Sequence, residues 1–121
     1  MKEYSFEKLA VWKDARELVK IVYKITKKYP AEEKYGLNSQ SQRAAVSVMS
    51  NIAEGSTRFG NKSQANFYQI AYSSLMELLS ELVVANDLEY IERKMFLDIR
   101  QHIDKISNKL NSLYKSTKDA K

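Results

Sequence analysis

A row of polar side chains between residues 37 and 58 is where the sequence comes nearest to offering chemistry. Gln40, Arg43, Ser47, Asn51, Glu54 and Arg58 follow spacings of 3, 4, 4, 3 and 4, which on a helix places them along one edge. A hydroxyl, amides, a carboxylate and guanidinium groups in one row are the raw material of acid–base or nucleophilic catalysis. The pattern falls short of it, because Ser47 has no histidine or other base beside it to accept its proton. The one local carboxylate, Glu54, shares its row with Arg43 and Arg58, which favour the ionised form, whereas a general acid needs a raised pKa. The ladder therefore predicts a hydrogen-bonded and salt-bridged seam between helices or subunits that fixes their register. Direct contact to a partner is its second use.

A second constellation is basic. Lys13, Lys20, Lys24 and Lys27 recur at spacings of 7, 4 and 3, with Arg16 and Lys28 flanking them and Glu17 partly neutralising the group. Ammonium groups along one track suffice for phosphate binding, which needs charge and no base contacts. A solvated lysine face would carry the same pattern, so both readings stay open. The last quarter adds Lys105, Lys109 and Lys115, interrupted by Asp98 and Asp104.

His102 is the sole histidine and there is no cysteine, so neither a thiolate nor a paired-histidine metal site is available and no cofactor is expected. The sequence predicts a surface position for His102. No glycine-rich phosphate loop occurs. Of the tyrosines, Tyr23, Tyr29, Tyr68 and Tyr72 fall on or beside apolar strips and read as core or interface rather than base-stacking residues.

The elements that must position these groups are helices. Val11, Ala15, Leu18, Val22, Ile25 and Tyr29 alternate spacings of 4 and 3, a seam for packing against a neighbouring helix. Beside it Trp12, Val19 and Tyr23 form a further apolar strip, predicting bundle core or an interface between copies. Pro30 closes this first helix. The second places Leu37, Ala44, Ala45, Val48 and Ile52 on one side and Val46, Met49 and Ala53 on the adjoining side, small residues that allow close approach; Gly55 is its expected stop. Asn61, with Gln64 three residues on, is the expected cap of a third, strongly apolar helix. Phe96, Ile99, Ile103, Ile106, Leu110 and Leu113 form the seam of a fourth, and the tail from Ser116 is expected to fray. The expected helices span about 8–29, 37–55, 62–87 and 92–115. Short links between them predict an all-α, antiparallel up-down-up-down four-helix bundle filling one domain, residues 1–121.

Composition agrees. With 121 residues, 44% hydrophobic content, three glycines and one proline, the chain has material for one core and too few turn residues for a β protein. No apolar run reaches the roughly 18–20 residues of a membrane span, and the charged N-terminus lacks a secretory signal. A cytoplasmic protein with no membrane partner and no small-molecule substrate is the expectation. Residues 1–30 carry eight bases and four acids, 61–90 one base and four acids, and 91–121 eight bases and four acids. A polyanion, or a complementary surface on another copy, exploits such asymmetry.

Phe6, Leu9, Val11, Trp12 and Ala15, then Tyr29 and Pro30, then Glu33, Tyr35, Gly36, Leu37, Gln40, Arg43, Ala44, Ser47 and the run Asn51-Ile52-Ala53-Glu54-Gly55, and finally Ile70, Ala71, Ser74, Leu75 and Glu77 together resemble one family. It is that of the four-helix-bundle proteins encoded by intervening sequences in bacterial large-subunit ribosomal RNA genes. The resemblance covers nearly the whole chain. It implies a homopentamer of bundles, no known catalytic activity and a role in binding RNA or other nucleic acid. Against the family's pattern, Ser41 stands where leucine is usual and Gln42 where a basic residue is usual. From residues and resemblance together the expectation is a non-catalytic homo-oligomer binding RNA through the Lys13–Lys28 ridge. The alternative is a protein–protein scaffold.

Overall fold

The computed structural model describes residues 1–120. Four α-helices carry the fold: α1 (Ala10–Thr26), α2 (Leu37–Thr57), α3 (Asn61–Asp87) and α4 (Arg93–Lys118), with short 3-10 turns at Ser5–Lys8 and Ala31–Glu33. Each helix packs against two others in the cyclic order α1, α2, α3, α4, and no pair packs across the diagonal. The end of α1 meets the start of α2 through Thr26 and Asn38, and Gly55 near the end of α2 faces Tyr68 early in α3. Asn61 at the start of α3 meets Ala120 just past α4, and Asp14 near the start of α1 meets Lys105 and Lys109 far along α4. These pairings make neighbours antiparallel, the expected up-down-up-down bundle. The predicted seams supply its centre: Leu18 and Val22 of α1, Val48 and Ile52 of α2, Leu75, Leu78 and Leu82 of α3, and Ile103 and Ile106 of α4 are wholly buried.

Helix ends depart from expectation where local chemistry overrides pattern. α1 stops at Thr26, not Tyr29. The residue four beyond Thr26 is Pro30, which has no amide to give, so the Thr26 carbonyl accepts instead from Tyr29 N at 3.1 Å and from Asn38 Nδ2 at 2.9 Å. The Thr26 hydroxyl is buried too; it donates to Val22 O at 2.8 Å and accepts from Gln42 Nε2 at 3.0 Å. Gln42, the departure from a basic residue, thus ties α2 to the end of α1.

Gly55 does not stop α2, which continues to Thr57. The glycine is needed for close approach rather than for a turn: a β-carbon there would lie 2.6 Å from Tyr68 Cε1. Nor does Asn61 cap α3. Gly60 does, at φ +114°, a conformation glycine alone adopts at little cost, while Asn61 Nδ2 donates to Ala120 O at 2.8 Å. Glu92 caps α4 and Arg93 opens it, and the segment expected to fray stays helical through Lys118.

Candidate nucleic-acid interface

With Val11, Ala15, Leu18, Val22 and Ile25 buried, helical geometry turns the opposite side of α1 to solvent. Lys13, Arg16, Lys20 and Lys24 are all exposed there, and Lys27 and Lys28 remain exposed in the turn that follows Thr26. Among the described residues only Lys20 of these six is engaged by an acid, Glu17 Oε1 at 3.1 Å. Arg16 lies over the Trp12 ring at 5.7 Å, and Trp12 meets Phe6 edge-to-face at 5.0 Å, which orients one guanidinium beside the lysines. All six predicted basic residues are exposed, four on α1 and two in the turn after it.

Two bases of α4 behave differently. Lys109 Nζ lies 2.6 Å from Asp14 Oδ2 and Lys105 Nζ 3.4 Å from Asp14 Oδ1. Burial alone would raise the Asp14 carboxyl; the hydrogen bond and charge of Lys109, then those of Lys105, more than offset it and hold it below the usual carboxylate value. His102 is not a free surface residue as expected. It is half-buried, with Nε2 3.0 Å from the Asp14 backbone oxygen. These residues form an α1–α4 clasp in which Lys105 and Lys109 pair with Asp14 while staying about half exposed.

The polar ladder divides into a joined middle and a free end. Ser47 and Ser74 hydroxyls are 2.8 Å apart across α2 and α3, and Asn51 Nδ2 donates to Ser47 O and Oγ at 2.8 and 3.0 Å. Arg58 pairs with Glu54 at 3.5 Å and lies over the Phe67 ring at 4.4 Å. Gln40 and Arg43 are exposed without a side-chain partner among the described residues. Near this seam lies a group that the sequence did not flag. The Glu81 carboxyl is pushed up to about 7, by burial first and by Glu77 second. The Ser41 hydroxyl of α2 is close enough to pull it down a little, yet Ser41 Oγ and Glu81 Oε1 both lie buried without hydrogen-bond geometry. Ser41 in place of leucine was the signal: a hydroxyl among apolar core positions predicts a polar neighbour.

Of the apolar strip, Trp12 and Val19 are half-buried and Tyr23 is 43% exposed. Tyr23 borders a groove with Gln42, Arg43, Val46 and Ser47 of α2, so the strip continues across two helices at the surface. Among the described residues no cluster of three or more His, Cys, Asp or Glu side chains could hold a metal, and no helix is long and apolar enough to cross a membrane.

The family described as 23S rRNA-intervening sequence protein matches residues 7–112. The chain belongs to that family. Its bundle is similar to a crystal structure from Bacteroides thetaiotaomicron, a protein with unknown function of the S23 ribosomal protein family. The two are 25% identical with a TM-score of 0.78, over 88% of this chain and 99% of that one. No curated protein matches the chain. Membership in the intervening-sequence family agrees with the resemblance carried by Tyr35, Gly36, Leu37 and the Asn51–Gly55 run.

Proposed function

We propose that this intervening-sequence protein is a non-catalytic, homo-oligomeric RNA-binding protein of the cytoplasm. Lys13, Arg16, Lys20, Lys24, Lys27 and Lys28 contact phosphates without reading base sequence. The observation that carries this reading is the exposure of the α1 lysines with one acid among them, whereas Lys105 and Lys109, two of the seven bases of α4, pair with Asp14. Cations held in reserve along one track are what a polyanion needs.

Trp12, Val19 and Tyr23 supply the contact between copies in this reading, and five copies is the number the family resemblance implies. A ring repeats the ridge and strengthens a patch that is modest on one chain. Reversing Lys13, Lys20, Lys24 and Lys27 to glutamate tests the proposal in a filter-binding assay on structured RNA at about 50 mM salt. Loss of binding supports it. Undiminished binding, or no binding by the unaltered protein, rejects it and leaves the scaffold reading, for which the continuous surface of Tyr23 and Val46 is the supporting feature.

A further inference from the structure

The turn from α2 to α3 holds a phenylalanine in the open. Phe59 is fully exposed, between Arg58, which is occupied by Glu54 and Phe67, and Gly60, whose positive φ fixes the turn. The hydrophobic effect opposes such a placement by a buriable aromatic side chain unless something covers it. The ring borders a cleft of about 1030 Å³ bounded by the first turns of α3 and the last turns of α4. A second ring, Tyr114, lines it. So do Lys62, Lys118, Asn61, Asn66 and Gln69, and no acidic residue is among the described lining residues. Lys118 Nζ lies 5.7 Å from the Tyr114 ring centroid, which places the charge beside the aromatic wall.

We propose that this cleft binds single-stranded nucleic acid, with a base against Phe59 or Tyr114, its flanking phosphates on Lys62 and Lys118, and its polar edge on the Asn66 and Gln69 amides. Aromatic faces joined to cations are how sequence-tolerant single-strand sites are built, and amide side chains offer both donors and acceptors to base edges. An acidic peptide would use the lysines but leave the rings and amides idle. A second copy of the chain would cover the rings but gains little from a lining whose described charges are both cationic. The site stands apart from the α1 ridge, since no residue of α1 lines it.

The test uses fluorescently labelled hexa-adenylate RNA and the full chain at low salt. Phe59→Ala is expected to weaken binding by about tenfold, the loss of one stacked base, and Phe59→Trp to restore it. Because Phe59 packs against nothing, helical content should be unchanged in both. Quadruple reversal at Lys13, Lys20, Lys24 and Lys27 is expected to leave measurable hexa-adenylate binding while abolishing binding of duplex RNA, which separates failure of this site from failure of the ridge. The proposal is overturned if the unaltered chain does not bind hexa-adenylate, or if Phe59→Ala binds it equally well. It is overturned as well if Phe59→Ala changes only the sedimentation of the protein, which would assign the cleft to a contact between copies.

Discussion

Asp14 and Lys109, 95 residues apart in sequence, sit 2.6 Å apart between α1 and α4, with His102 on the Asp14 backbone oxygen. Asp14 is the acid that pairs with two of the seven bases of α4, Lys105 and Lys109. Its side chain is 17% exposed, so removing it leaves Lys105 and Lys109 repelling one another at a partly covered position. Asp14→Ala is expected to lower stability by about 1 kcal/mol, the modest value fitting lysines that remain largely in water. The sign with pH follows from the depressed carboxyl. The contribution is present above the ordinary aspartate pKa and is lost as pH falls through the lowered folded value. Urea denaturation from pH 7 downwards checks both statements: the variant and the parent should differ at pH 7, and the difference should shrink as the pH falls below the ordinary aspartate value of 3.8.

Glu81 predicts the opposite trend. Its folded pKa of about 7 lies above the unfolded 4.5, so the native state holds the proton more tightly. This group's contribution is greatest below pH 4.5 and falls as pH rises towards 7. Glu81→Gln is therefore expected to be neutral near pH 4.5 and stabilising by about 1 kcal/mol at pH 8, after allowance for the solvent that still reaches the carboxyl. Thermal melts of both proteins across that range would refute the assignment if the difference stayed constant.

Gly55→Ala sets helix propensity against packing. In an open helix the change gains up to about 1 kcal/mol. Here the new methyl meets ring carbons of Tyr68 at 2.6 and 2.9 Å and the Gln64 carbonyl at 3.2 Å. Tyr68 is buried and its neighbour is backbone, so neither yields easily. A net loss of about 1–2 kcal/mol is expected, read as a lowered melting temperature; a rise would show that the α2–α3 contact is looser than the structure has it.

Thr26→Val keeps shape and removes the hydroxyl that accepts from Gln42 Nε2. With that amide unpaired at the α1–α2 junction, about 1–2 kcal/mol should be lost. Pairing it with Gln42→Leu should recover most of the loss, and failure of the double variant to recover would remove the hydrogen bond from the account.

Much of this was legible in the residues. The alternating 3 and 4 spacings of Val11 to Ile25 and of Phe96 to Leu110 named the buried faces, and the same periodicity put Lys13, Lys20 and Lys24 on the open side. Periodicity is blind to contacts between distant turns. It could not show that Lys109 answers Asp14, that Gly55 makes room for Tyr68, or that Asn61 reaches Ala120. Helix ends suffered for the same reason: the Thr26 carbonyl, denied an amide by Pro30, is taken by Asn38, twelve residues on. The Phe59 cleft was missed because its walls come from a loop and two helices whose sequences share no pattern.

The central claim is that phosphates sit on the α1 ridge, and the salt dependence of RNA binding measures it most directly. Each phosphate neutralised contributes a slope of about 0.7–0.9 in a plot of log affinity against log salt. Changing Lys13, Lys20, Lys24 and Lys27 to alanine together should flatten that slope by about 3 per chain engaged and weaken binding at every salt concentration. Equal slopes for the parent and the quadruple variant, with Asp14 and the fold intact in both, would contradict the account.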